Sequence, residues 1–146
     1  MMRFVLPTVL TLASAFAWAT PLTPDNILGR YKVDASYMFQ HAYMKIHVLN
    51  NQEFDITRYY PNGKEDPTCQ GTYSFGENVY LDEAGFLAGG KIFKGVFTCP
   101  DDRSKQYDFN IDYKNTQLED LIKGATVSVT SSLAPGVNLK AHVIRY

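Results

Sequence analysis

The sequence predicts an all-β fold, an antiparallel up-and-down barrel of about eight strands with one short helix, and three observations lead there. Short runs of alternating apolar and polar residues recur along the chain, most of them too short for a helix. Turn-forming groups such as Pro61-Asn62-Gly63 and Ala134-Pro135-Gly136 separate these runs. Nearly every connection is hairpin-sized, which favours an up-and-down barrel; a sandwich accounts for the same alternation and stays open as the alternative.

The chain of 146 residues opens on Met1-Met2-Arg3 and an apolar run from Phe4 to Trp18, then turns abruptly to Thr20-Pro21-Leu22-Thr23-Pro24-Asp25. A positive start, an apolar middle and the small-x-small tripeptide Ala17-Trp18-Ala19 are the layout of a secretory signal peptide. A membrane anchor needs about 20 apolar residues, usually followed by a charged stop. We therefore expect residues 1–19 to be a leader cleaved after Ala19, and residues 20–146 to form one soluble domain, periplasmic or extracellular. A lipid-modified start is not expected, because no cysteine stands near the cut.

Within the domain, Tyr31, Val33, Ala35 and Tyr37 alternate with Arg30, Lys32, Asp34 and Ser36. Met44, Ile46 and Val48 repeat the pattern, and Phe54, Ile56, Arg58 and Tyr60 continue it less cleanly before the Pro61-Asn62-Gly63 turn. Thr68 to Phe75 and Asn78 to Asp82 predict a hairpin across Gly76-Glu77, followed by a glycine-rich connection over 84–90 and a strand from Lys91 to Cys99. The clearest strand runs from Gln106 to Lys114, with Tyr107, Phe109, Ile111 and Tyr113 opposite Asp108, Asn110 and Asp112. Gln117 to Lys123 predicts a helix of about two turns ended by Gly124. Thr126 to Ser132 and Val137 to Tyr146 supply the closing strands.

Loss of the leader removes Arg3, so the balance of 14 basic and 15 acidic residues becomes 13 against 15, a net charge of −2. Basic residues are scattered singly, which argues against nucleic acid as a partner. In an oxidising compartment the pair Cys69 and Cys99 is most simply a disulfide. Its spacing is not the close Cys-x-x-Cys of a redox or zinc site.

Ile27-Leu28-Gly29-Arg30-Tyr31-Lys32 resembles the Gly-x-Trp strand opening of lipocalins and related calycin barrels, with Tyr31 in place of the Trp. In that family an Arg near the barrel's end packs across the opening aromatic, and Arg145 stands where it could do so. The resemblance covers strand count, length and these few positions. It implies a cavity for a small apolar or amphipathic molecule, lined by Tyr31, Tyr37, Phe54, Phe109 and Tyr113. Each of these aromatics also reads as ordinary core filling, since small barrels can be packed solid with side chains.

No catalytic carrier is visible, and we expect neither an enzyme nor a cofactor. His41, His47 and His142 lack metal-ligand spacing, and Ser74, Ser131 and Ser132 lack a nucleophile-elbow context. The acid pairs Asp82-Glu83, Asp101-Asp102 and Glu119-Asp120 read as solvated charge, adjacent residues in a strand or turn pointing in different directions. Calcium at Asp101 and Asp102 is the minor alternative. An outer-membrane barrel is disfavoured because Ile144, His142, Lys140 and Asn138 would place charge and amide on a lipid-facing band. The expected function is thus an exported, lipocalin-like carrier of a small hydrophobic or amphipathic ligand. The rival is an exported inhibitor or adhesion module that grips a protein partner through Tyr59-Tyr60-Pro61-Asn62-Gly63 and Phe86-Leu87, and a hydrolase with an unrecognised site stands third.

Overall fold

A computed structural model describes residues 19–146, so nearly all of the expected leader lies outside the described residues. Eight strands follow one another around a closed barrel: β1 (Gly29–Tyr37), β2 (Gln40–Val48), β3 (Glu53–Tyr59), β4 (Cys69–Leu81), β5 (Leu87–Cys99), β6 (Asp102–Lys114), β7 (Ala125–Ser131) and β8 (Leu139–Arg145). Every neighbouring pair is antiparallel, and β8 closes on β1 from Tyr31↔Arg145 to Ser36↔Lys140. Closure settles the architecture as a barrel and not a sandwich, and it satisfies the sheet edges that an open sheet would leave unpaired.

Alternation fixes the register. Tyr31, Ile46 and Ile56 are successive cross-strand partners, and all three are buried. Phe109, Ile111 and Tyr113 on β6, Val127 and Val129 on β7, and Ala141 and Val143 on β8 point into the same interior. A one-residue slip of any strand would turn its set outward into water.

Two sequence expectations are corrected here. Gly76-Glu77 is not a turn: β4 runs unbroken through it for 13 residues, and Gly76↔Ile92 is an ordinary ladder pair. The chain reverses instead at Asp82–Phe86, where Asp82 N donates to Phe86 O at 2.9 Å and Asp82 Oδ1 accepts from the Ala84 and Phe86 amides at 3.0 and 2.9 Å. Asp82 therefore builds an Asx turn, and Gly85 takes the left-handed step with φ 82°. The glycine-rich stretch is likewise largely strand. A Cβ at Gly89 would stand 1.8 Å from Asn78 O, and one at Gly90 would stand 1.9 Å from Lys114 O. Glycine is needed there because other backbones pass close by, beside a register shift at Lys91/Ile92.

One end of the barrel is plugged by the residues before β1 and by helix α1 (Leu118–Lys123). Leu22, Ile27 and Leu121 are buried there, and Leu118 N donates to Thr20 O at 3.0 Å. Asp120 Oδ2 accepts from Gln117 N at 2.8 Å and so closes the first turn of α1. Arg145 ties the same region down: its guanidinium donates to Asn26 O at 3.0 Å and to Leu28 O at 2.8 Å. Gly29, at φ 137°, leaves the space this needs, since a Cβ there would lie 3.1 Å from Arg145 Nη2. Among the described residues no helix is long and apolar enough to cross a membrane.

Candidate functional site

The interior is divided along the barrel axis by the size of its side chains. Towards the plugged end, Phe54 sits at the centre of an aromatic cluster, with ring centroids 5.6 Å from Phe93 and 5.6 Å from Phe109, both near perpendicular. Tyr73 stacks on Phe93 at 4.5 Å. Such edge-to-face and stacked pairs favour a tightly packed cluster. Three phenols share this half. Tyr31 donates its hydroxyl to Ile27 O at 2.7 Å and Tyr73 to Asn50 O at 2.5 Å. Burial raises the Tyr113 phenol well above the ordinary tyrosine value, and the neighbouring Tyr31 and Tyr73 push it the same way.

Towards the other end the inward residues become small or aliphatic. Ala35 and Ala42 are cross-strand partners, and Ala141 lies beside Ala35 on β8. Where larger side chains would meet across the axis, Ala35 and Ala42 border a narrow opening of about 190 Å³. Val33, Met44, Phe97, Phe109, Ile111 and Val129 form much of its wall, with Leu133 and Ala134 of the β7–β8 loop over it. Almost the whole lining is apolar. Outside this throat lies a wider vestibule of about 460 Å³, reached past Met44, Ile56, Phe97 and Leu133, where Arg58, Asp66 and Asp101 supply charge. Cys69 and Cys99, whose Sγ atoms are at bonded distance, 2.07 Å, form one side of the vestibule. Hollows of about 480 and 540 Å³ near α1 and the start of β5 are open grooves; polar side chains border much of the first, and Pro21, Leu22, Val79, Leu87 and Ala88 stand among the polar residues of the second.

The structure brings four of the five aromatics expected around a ligand into one interior. Of these, Phe109 borders the throat, whereas Tyr31, Phe54 and Tyr113 belong to the packed half. Tyr37 shares the parity of Tyr31 but stands outside the buried core: it is 46% exposed at the last position of β1. Residues that sequence reasoning passed over, chiefly Ala35, Ala42, Met44, Phe97 and Leu133, shape the opening. The signal of the two alanines is present in the sequence as small residues, but it becomes readable only once register shows Ala35 facing Ala42.

Arg145 stands opposite Tyr31 in the β1–β8 ladder. Its guanidinium is spent on the Asn26 and Leu28 carbonyls over Gly29. Among the described residues there is no group of three or more His, Cys, Asp or Glu side chains placed to hold a metal ion. No family model, curated protein or solved structure matches the chain. What the fold and the site define is a class: a closed eight-stranded up-and-down barrel, plugged at one end and apolar at the other, an architecture consistent with a lipocalin-like fold.

Proposed function

We propose that the protein is an exported carrier that holds the apolar part of a small hydrophobic or amphipathic molecule in the barrel throat. The observation that carries this reading is the almost wholly apolar opening of about 190 Å³ beneath a wider vestibule that carries three charged side chains. That volume is smaller than the usual pocket for a drug-sized ligand, about 300–1,000 Å³, so a slim chain or a single ring fits it better than a fused ring system. A polar head would then remain in the vestibule among Arg58, Asp66 and Asp101.

The test is titration with a linear polyene fatty acid, a slim dye whose fluorescence rises in apolar surroundings, alongside native mass spectrometry of protein purified from its own source. Wild-type protein should bind the dye and release a small molecule in the spectrometer. Ala35→Leu, which fills the throat, should weaken dye binding at least about tenfold and leave the urea midpoint level or higher. A bare chain that ignores the dye, or equal binding by the filled variant, would end the carrier reading.

A second reading, a module that grips a protein partner, is favoured by one feature of the β4–β5 hairpin. Phe86 and Leu87 at its tip are 70% and 77% exposed, and Leu81, the cross-strand partner of Leu87, is exposed with them. Clustered exposed apolar groups of this kind mark contact surfaces. Replacing Phe86 by Ser should abolish retention of a partner from an extract of the source organism; undiminished retention removes this reading.

A further inference from the structure

We propose that hydrolysis of the Ala19–Thr20 peptide bond converts a hydrogen bond already built into the fold into an ion pair between the new Thr20 α-ammonium group and Glu119. This rests on the export reading of the leader and is independent of what the throat holds. All three polar atoms of Thr20 are engaged on α1. Its backbone nitrogen donates to Glu119 Oε2 at 3.1 Å, its hydroxyl donates to Glu119 Oε1, and its carbonyl accepts from Leu118 N at 3.0 Å. Ala19, one residue earlier, is exposed. Thr20, the residue that the small-x-small pattern makes the first of the processed chain, is thus fastened to α1.

The cut itself is a hydrolysis by a peptidase of the signal-processing class. Water's oxygen bonds to the Ala19 carbonyl carbon, the C–N bond breaks, and Thr20 nitrogen takes a proton. At neutral pH the nitrogen gains one more proton and the new Ala19 carboxyl loses one. A neutral amide donor facing Glu119 becomes a cation at the same distance. Charge-assisted hydrogen bonds are shorter and roughly twice as strong as neutral ones. Glu119 suits the role, because its carboxyl is held below the usual range chiefly by the Thr20 hydroxyl, and then by backbone donors and Lys123.

The surrounding charges are few. Lys123 lies one turn along α1, and Asp120 is turned back to Gln117 N. From β8, His142 lies against Gly124; Lys114 and the Lys91–Glu77 pair border the groove beside Pro21 and Leu22. The ion pair would fasten the segment whose Leu22 and Ile27 plug the barrel, so the processed chain is held more firmly than the uncut one. Since the carboxylate raises the amine's pKa in the folded state, this gain is present below the ordinary α-amine value of about 7.7–8.0. It is lost as pH rises through the folded value.

The experiment has two parts. Intact mass of protein exported by its own source should correspond to a chain beginning at Thr20; a different first residue overturns the processing position. Urea midpoints are then compared for the Thr20 chain, the same chain acetylated at its α-amine, and a chain beginning at Ala19. At neutral pH the free Thr20 chain should unfold at the highest urea, and its lead should vanish at a pH well above the α-amine range and in Glu119→Gln. No lead, or a lead that survives both alkaline pH and Glu119→Gln, overturns the ion pair.

Discussion

A Cβ at Gly95 would stand 2.8 Å from the Phe109 ring and 3.1 Å from that of Phe54, and one at Gly71 would meet Phe54 at 2.6 Å and Val96 O at 2.4 Å. The aromatic cluster is thus seated against two bare stretches of backbone on adjacent strands. Gly95→Ala should cost about 1–3 kcal/mol in urea unfolding, the usual penalty for overpacking, because the new methyl would meet both rings. Gly76, on the same strand as Gly71, has nothing within 4 Å of its would-be Cβ. Gly76→Ala should therefore shift stability by no more than about 0.5 kcal/mol in either direction. The phenols make a pH prediction of the same local kind. Tyr113 has its folded pKa raised by burial, so in the unfolded chain it ionises first, near the ordinary value of about 10. Stability from this group is complete below that pH and falls as pH rises beyond it. Tyr113→Phe should flatten the alkaline loss of the urea midpoint only in part, since burial raises Tyr31 and Tyr73 as well.

Among the elements, the β4–β5 hairpin stands apart because it outgrows the barrel wall. Pairing of β3 with β4 stops at Glu53↔Thr72, and pairing of β5 with β6 starts only at Lys91↔Lys114, so the ribbon from Gly76 to Gly90 has no third strand beside it. A two-stranded ribbon is marginal by itself in water. Its amides at Val79–Leu81 and Leu87–Ala88 should exchange with solvent well before those of Ile46 or Ile111, as measured by hydrogen-exchange mass spectrometry. Equal protection would show that the tip is covered in solution. The same hairpin marks where the sequence ceased to be legible. Strands such as β1 and β6 bury one parity of side chains, and strict alternation announced them. The outer half of β4 buries neither face, so Gly76 carries the signature of a break and no alternation marks the reversal at Asp82. Position within an element also escaped notice: Tyr37 has the inward parity of Tyr31, yet parity carries no information on whether a wall stands opposite. Helix α1 was legible because Gly124, at φ 100°, ends it against the His142 ring.

Across the whole molecule the two barrel ends are built by different means. At the plugged end, sequence-local hydrophobic residues and Arg145 hold the N-terminal segment in place, while at the mouth strand ends, loops and the Cys69–Cys99 link bound the vestibule. The linked residues are separated by 30 positions and lie on strands already paired at Gln70↔Thr98. The chain-entropy treatment assigns such a loop roughly 3–4 kcal/mol of stabilisation. Joint replacement of Cys69 and Cys99 by Ser should lower the unfolding free energy by up to that amount, with the far-ultraviolet spectrum kept, because the remaining ladder and the aromatic cluster do not depend on the link. The loss should be uneven in space. Freed from its tie, the mouth loosens first, so limited proteolysis should cut earlier around Pro100-Asp101 and in the 60–68 loop. Cleavage near Thr20 and α1 should keep its wild-type rate. If the link served global stability alone, cutting would accelerate equally at both ends; if it shapes the mouth, dye binding in the throat should weaken in step with the new cuts.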